Sequence, residues 1–184
     1  MERMIAKMMM LTAMILIPTV MVFWIVAAKI AASQPQTDVG NPGVPRSMAA
    51  LERDVECMTR NIYYEAAHEP AEGKMAVAQV TMNRVAHSDF PDDVCEVVYQ
   101  KTRFSDRTVC QFSWYCDGSP QRVRIRDDLW MESRAAAKKV MIEGWRLPSL
   151  EHALYYHADY VNPGWRKDKV AKIGRHIFYQ DRDA

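Results

Sequence analysis

The stretch Asn61-Ile62-Tyr63-Tyr64-Glu65-Ala66-Ala67-His68-Glu69-Pro70 links two helical sequence patterns and places a glutamate at their junction. Upstream of Glu65, apolar residues recur every three or four positions, which predicts a helix over residues 51–67 with one face packed inward. These residues are Leu51, Val55, Met58 and Ile62. Pro70 ends the helix because proline lacks the amide hydrogen and clashes with the preceding turn. We therefore expect Glu65 near the end of a core helix, beside a turn.

Downstream of Pro70 the pattern remains helical and then changes. A second helix is predicted over residues 72–86. A third, with Asp127 and Asp128 as N-cap candidates and Gly144 just beyond its end, runs to Met141. Residues 153–161 and 172–180 are rich in aromatic and β-branched side chains, which predicts two strands joined around residues 162–164. The fold class is therefore α+β, a mostly helical domain with a small antiparallel sheet.

An apolar segment precedes this domain. Residues 8–28 contain no charged side chain and are bracketed by Lys7 and Lys29. A bilayer core of about 30 Å needs roughly 20 helical residues, so the segment predicts one transmembrane helix. Arg3 and Lys7 before it slightly favour a cytoplasmic N-terminus, with the domain in the periplasm or otherwise outside the cytoplasm. The alternative is secretion after cleavage of a signal peptide, because residues 31–33 are small.

Three regions follow from this pattern: a membrane anchor or signal over residues 1–32, a linker over residues 33–47 and a catalytic domain over residues 48–184. The linker contains three prolines and two glycines and few large apolar residues, which is typical of extended chain. The net charge of the whole chain is +1, of which the leader contributes +2, so the rest is close to −1. That balance lacks the basic excess of a nucleic-acid-binding protein.

All four cysteines follow the apolar segment, as an oxidising compartment would permit. Four cysteines allow three pairings. We predict a disulfide between Cys110 and Cys116, because six residues close a short loop whose aromatic side chains need ordering. The remaining pair, Cys57 and Cys95, would then tie two more distant parts of the chain.

The sequence resembles the cell wall hydrolases typified by the catalytic domain of spore cortex-lytic enzymes. The resemblance covers about residues 57–179 and rests on several motifs in the same order. They are the stretch of residues 61–70, Glu72-Gly73, Ala76-Val77-Ala78, Asn83-Arg84-Val85, Gln111-Phe112-Ser113-Trp114, Tyr156-His157, Pro163, Trp165 and Ile173-Gly174-Arg175-His176-Ile177-Phe178.

This resemblance implies a lysozyme- or transglycosylase-like domain that acts on peptidoglycan. Its members cut between N-acetylmuramic acid and N-acetylglucosamine, usually as lytic transglycosylases, with one catalytic acid that matches Glu65. No metal or other cofactor is required by that chemistry. A general acid working near neutral pH needs a raised pKa, so we expect an apolar surround for Glu65.

The substrate-binding candidates lie on or near the matched motifs. They are Glu69, Gln111, Phe112, Trp114, Tyr156 and His157, with Tyr115 as a further aromatic for stacking on sugar rings. For the aromatic residues the alternative is a small core beneath the disulfide. Because neighbouring side chains on a strand point to opposite faces, only one of Tyr156 and His157 can face the cleft.

Two other functions compete with glycan cleavage. The family usually has Arg-Gly after the Glu-Ala pair, whereas this chain has Ala67-His68, and that departure keeps open the alternative of a non-catalytic, membrane-tethered peptidoglycan-binding domain. The other alternative is an N-acetylmuramoyl-L-alanine amidase. Such enzymes generally use a zinc-held water, but the five histidines of this chain show no metal-ligand spacing.

Overall fold

The computed structural model describes residues 47–182, which begin with the first long helix and end just after the last strand. Its helices are α1 (Met48–Ala66), α2 (Ala71–Val85), α3 (Val94–Val98), α4 (Ser119–Arg122) and α5 (Asp127–Met141), with 3₁₀ turns at Ser113–Tyr115 and Pro148–Leu150. The long helices α1, α2 and α5 pack on one another in all three pairings, and α3 packs against α1 and α2. Their facing side chains form the main core, which includes Val55, Met58, Ile62, Val77 and Val140.

The strands form two separate sheets. Strands β1 (Lys101–Arg103) and β2 (Thr108–Cys110) make a short antiparallel hairpin. Strands β3 (Tyr155–Ala158), β4 (Asp168–Ile173) and β5 (His176–Gln180) form an antiparallel sheet in the order β3-β5-β4. The fully buried Phe178 of β5 packs with Ala76 and Val80 of α2 in a second cluster, which attaches this sheet to the helices.

The structure contains both predicted disulfides. Cys57–Cys95 joins α1 to α3, with 5.3 Å between the Cα atoms. Cys110–Cys116 joins the end of β2 to the residue after the 3₁₀ turn, with 5.9 Å between the Cα atoms. The shorter loop encloses Phe112, Trp114 and Tyr115, the aromatic side chains that it was expected to order.

The mixed α+β prediction is confirmed, but three details differ. The predicted strand over residues 172–180 contains a turn at Gly174, whose φ of 54° is left-handed, so its first residues end β4 and the rest form β5. Asp127 and Asp128 lie in the first turn of α5, while the N-cap is Arg126 without a capping side chain. The β1–β2 hairpin was not predicted, because three-residue strands are too short to show an alternation.

The predicted membrane segment and linker lie outside the described residues. Within residues 47–182, no helix combines the length and the apolar character needed to cross a bilayer.

Candidate active site

Glu65 occupies the last turn of α1, where the residue is partly buried. The Tyr156 hydroxyl donates a hydrogen bond to Glu65 Oε2 over 3.1 Å. Burial raises the pKa of Glu65 from 4.5 to about 7, against smaller opposite effects of the Tyr156 hydrogen bond and the Arg84 charge. The charge of Asp117 adds slightly to the rise. Glu65 can therefore hold a proton at neutral pH and release it, as a general acid must.

Tyr156 reaches Glu65 from the three-stranded sheet. It pairs with Phe178 across β3 and β5, and its ring lies 5.6 Å from the Phe178 ring and 5.2 Å from that of His176. Burial, followed by the nearby Glu65 charge, raises the pKa of Tyr156 well above its ordinary value. Tyr156 thus keeps its hydroxyl proton and remains the donor in this pair.

His157, the next residue of β3, engages a different group. Its ring stacks on that of Tyr179 at 5.2 Å, and its Nε2 lies 2.9 Å from the Tyr179 hydroxyl. Strand alternation thus separates the two side chains as expected, with Tyr156 on the Glu65 side. Among the described residues, the hydrogen-bond and ring partner of His157 is Tyr179 and not Glu65.

Arg84 is a site residue that sequence reasoning did not assign. It is 4% exposed in α2, where its Nε donates to the carbonyl of Leu154 over 2.8 Å, and its positive charge acts on Glu65. The guanidinium lies over the Phe112 ring at 5.2 Å. The Gln111 amide, with its oxygen turned towards Arg84, accepts from both terminal nitrogens over 3.1 and 3.3 Å.

A signal for Arg84 was present in the sequence. The arginine falls four residues after Val80 and seven after Val77, on the buried face of the helical pattern. A buried charge needs partners, so this position indicated a polar site. Arg84 also supplies a cation beside Glu65, although the family's usual Arg-Gly is replaced here by Ala67-His68.

Phe112 and Trp114 lie in the core, each with only 3% of its surface exposed. Trp114 stacks on Tyr64 at 4.8 Å, and its Nε1 donates to Asn61 Oδ1 over 3.0 Å. Such burial leaves no ring face for a sugar, so the structure corrects the expectation of stacking and favours the core alternative for both. Trp114 thereby contacts the C-terminal part of α1, next to Glu65 in the sequence. Tyr115 is half-buried, with Lys101 Nζ 4.2 Å from its ring centroid.

Glu69, the other nearby carboxylate in the sequence, faces a backbone group. Its Oε2 accepts a hydrogen bond of 2.9 Å from the amide of Arg175, in the turn between β4 and β5. The predicted site residues are thus brought together only in part. Glu65 and Tyr156 are in direct contact, Gln111 joins them through Arg84, and Glu69 and His157 bond to other groups.

The described part of the chain contains few groups of side chains that could bind a metal ion. Within residues 47–182, the only close group of three potential ligands is Asp54, Asp93 and Cys95. The Cys95 sulfur is bonded to Cys57, so it is not a thiolate that could bind a metal. None of the histidines belongs to that group.

A partly buried carboxylic acid with a pKa of about 7 and a tyrosine hydroxyl as its partner has the properties that a general acid needs. The comparison with known families is more specific. The Cell Wall Hydrolase family model matches residues 68–179, which is more than half of the chain. This chain belongs to the cell wall hydrolase family. The matched region begins three residues after Glu65, so it does not itself include the candidate acid.

Individual relatives agree with that family. The spore cortex-lytic enzyme of Oceanobacillus iheyensis is 29% identical over 144 residues, covering 76% of this chain and 46% of the relative. This chain thus spans about half the length of the curated relatives that it matches.

Two solved structures are similar over their whole length. The catalytic domain of the Bacillus cereus SleB protein matches with a TM-score of 0.53 at 28% identity, over 78% of this chain and 100% of that domain. The catalytic domain of the germination-specific lytic transglycosylase SleB from Bacillus anthracis matches with a TM-score of 0.50 at 26% identity, over 77% of this chain and 100% of that domain.

Proposed function

We propose that this protein degrades peptidoglycan by cutting the bond between N-acetylmuramic acid and N-acetylglucosamine, as a lytic transglycosylase with Glu65 as its one catalytic acid. The observation that carries the proposal is the Glu65 carboxyl, whose pKa burial raises to about 7 in a residue that is only partly buried as a whole. Membership of the cell wall hydrolase family and similarity to a domain described as a lytic transglycosylase support the substrate and the reaction.

The proposed reaction needs one proton carrier and no water. Protonated Glu65 gives its proton to the glycosidic oxygen, the bond from that oxygen to C1 of muramic acid breaks, and the N-acetylglucosamine unit leaves with a free hydroxyl. The 6-hydroxyl of the same muramic acid then bonds to C1, and the Glu65 carboxylate takes its proton. The acid is regenerated, and the product is a 1,6-anhydromuramic acid end.

The surroundings of Glu65 support these two roles. Burial favours the neutral acid needed for the first step. The Tyr156 hydrogen bond and the Arg84 charge both favour the carboxylate that receives the proton in the second step. A pKa near neutral results from this balance, and it suits a group that must first donate and then accept a proton.

A water-using muramidase is the second glycosidic mechanism, and it needs a second carboxylate near the bond that is cut. Glu69 is the nearest in the sequence, but its carboxylate accepts from the Arg175 amide. Asp117 acts on Glu65 through its charge, but it accepts from the Ser119 amide over 2.8 Å and pairs with Arg122. Both candidates thus have structural partners, which favours the single-acid mechanism.

Mass analysis of digested sacculi tests the proposal directly. Purified peptidoglycan treated with the protein should yield glycan fragments with 1,6-anhydromuramic acid ends, each lighter by one water than the product of hydrolysis. Ordinary reducing ends would overturn the transglycosylase mechanism but keep the cleavage site. Free stem peptides would indicate an amidase, and no release by folded protein would indicate a binding domain.

We further propose that residues 8–28 hold the catalytic domain at the inner membrane, with the domain outside the cytoplasm. The support is the uncharged length of the segment and the position of all four cysteines after it. Carbonate-washed membranes should retain the full-length chain, and protease added to spheroplasts should remove the part after Ser33. Recovery of a soluble full-length chain would contradict the anchor. A secreted chain shortened near residues 31–33 would show a cleaved signal.

A further inference from the structure

We infer that Glu69 is a positioning residue, whose carboxylate fixes the β4–β5 turn against the junction of α1 and α2 and thereby holds Tyr156 on Glu65. This inference rests on the proposed function for its activity measurements, although its structural part can be tested without turnover. It gives Glu69 a task different from substrate binding and from that of a second catalytic carboxylate.

The contact itself is closely fitted. Glu69 Oε2 accepts from the Arg175 amide over 2.9 Å, across a separation of 106 residues in the chain. A Cβ atom placed on Gly174 would lie 1.8 Å from that same oxygen, and one placed on Gly73 would lie 3.0 Å from Glu69 Cβ. The left-handed φ of 54° favours glycine at position 174, and any side chain there would displace the Glu69 carboxylate from its place beside the Arg175 amide.

The turn leads directly to the side chains that surround Tyr156. Immediately after Arg175, β5 begins with His176, which is 7% exposed, and two residues later comes the fully buried Phe178. Both rings contact the Tyr156 ring, and the Tyr156 hydroxyl donates to Glu65. The carbonyl of Arg175 also accepts from the Asp159 amide over 2.7 Å, just after β3. A shift of the turn would therefore move β5, the strand that pairs with Tyr156, and the end of β3 that carries Tyr156 itself.

Glu69 and Glu65 belong to the same short stretch of chain. The Glu69 amide donates to the Ala66 carbonyl over 3.0 Å in the turn that ends α1. The contact that holds the β4–β5 turn therefore lies only four residues from the proposed catalytic acid. Because the connecting segment is short, the position of the turn is closely coupled to that of Glu65. Small displacements of catalytic groups are costly, because a misplacement of about 1 Å can reduce a rate by about 100-fold.

The test compares two substitutions of Glu69 with two matched changes of Glu72. Glu69→Ala removes the acceptor, whereas Glu69→Gln keeps an oxygen that can accept from the Arg175 amide. Glu72 is exposed in the first turn of α2, so Glu72→Ala and Glu72→Gln control for the loss of a nearby charge. On soluble glycan strands, Glu69→Ala should lower kcat about tenfold with KM within about twofold, and Glu69→Gln should restore most of kcat.

A second variant approaches the same contact from the turn. Gly174→Ala should reduce kcat about as much as Glu69→Ala, because its methyl group would displace the Glu69 carboxylate. In the double variant Glu69→Ala/Gly174→Ala the combined loss should be smaller than the sum of the two, since both remove the same contact and only the strain of a left-handed alanine is separate. Fully additive losses would contradict the inference. So would equal damage from Glu69→Gln and Glu69→Ala, which would show that the charge is needed and not the acceptor.

Amide exchange measured by NMR separates this inference from the proposed function. In Glu69→Ala the Arg175 amide should lose its protection and the Tyr156 ring signals should shift, while both Glu72 variants leave them unchanged. These NMR signals can be measured even if the wild-type protein cleaves no glycan. That result would contradict the proposed function but leave the positioning role of Glu69 open to this test. An unchanged Arg175 amide and Tyr156 ring in folded Glu69→Ala protein would overturn the positioning role.

Discussion

The end of α1 and the turn that follows it each carry a glutamate, four residues apart, and the two side chains have different partners. Glu65 meets a tyrosine hydroxyl and a buried arginine charge, and burial brings its pKa to about 7. Glu69 meets the amide of Arg175, which fastens a turn of the sheet. In the two proposals, the same residue type therefore serves chemistry at one position and geometry at the other.

The difference follows from the kind of partner. A backbone amide donates one hydrogen bond from a fixed position and does not change its protonation. The Glu69 carboxylate that accepts this bond therefore holds the turn in place. At Glu65 the hydrogen bond and the arginine charge stabilise the carboxylate, whereas burial stabilises the neutral acid. This balance brings the pKa of Glu65 to about 7, where the group can both donate and accept a proton.

The largest expected effect separates the two glutamates by activity. Glu65→Gln keeps the shape of the side chain but cannot donate a proton and recover it, so the rate of glycan cleavage should fall by about 10²–10⁴-fold. Glu69→Gln keeps an acceptor for the Arg175 amide and should cost no more than about threefold. Release of soluble fragments from labelled sacculi measures both rates.

Circular dichroism and thermal unfolding should show that both variants are folded, so that a lost rate reports lost chemistry. Full activity in Glu65→Gln protein would remove Glu65 from the mechanism. If Glu69→Gln lowered the cleavage rate as much as Glu65→Gln, the two glutamates would not differ in role, and Glu69 would take part in the reaction.

The second effect is on stability, where the two glutamates should differ in sign. The pKa of Glu65 is raised in the folded state, so the stabilising contribution of its proton is complete below about pH 4.5 and is lost as the pH rises through about 7. Glu65→Gln removes that loss, so at pH 8 the variant should be more stable than the wild type by on the order of 2–3 kcal/mol, and nearly equal to it at pH 4. Glu69→Gln should be slightly less stable at pH 8, because a neutral acceptor replaces a charged one.

Urea unfolding curves at pH 4, 6 and 8 give these free energies. The comparison of each variant with the wild type at one pH cancels the titration of groups that they share. A stability gain for Glu65→Gln that is the same at all three pH values would show that the Glu65 pKa is not raised by folding.

The helices and the position of Glu65 were predictable from local pattern. Apolar spacing around Val55 and Ile62, together with Pro70, fixes the inward face of α1 and its end, and both follow from backbone chemistry within a few residues. The resemblance to cell wall hydrolases then selected Glu65 from many helical glutamates. These steps did not require knowledge of distant contacts.

The partners of Glu65 and Glu69 were harder to predict, because they come from parts of the chain about 90 and 106 residues away. No local pattern specifies that the Glu69 carboxylate meets the Arg175 amide, since any backbone amide can donate. The turn at Gly174 was missed because the residues on both sides suit a strand, and only the tertiary contact shows why glycine is needed. The burial of Phe112 and Trp114 likewise depends on α1 and α2, which their own loop does not reveal.

The smallest effect concerns the pH profile of cleavage, which two single substitutions should move in opposite directions. The Tyr156 hydrogen bond lowers the pKa of Glu65 and the Asp117 charge raises it. Tyr156→Phe should therefore shift the alkaline limb of the kcat/KM profile to higher pH, because the acid keeps its proton longer. Asp117→Asn should shift it to lower pH by a fraction of a pH unit, because Asp117 is exposed and its charge is screened by water and salt.

Raising the salt concentration to 0.5 M should shrink the shift caused by Asp117→Asn. It should leave the shift caused by Tyr156→Phe unchanged, since a hydrogen bond at contact distance is not screened by salt. Shifts in the same direction would mean that this limb reports a group other than Glu65, and the assignment of the acid would fail.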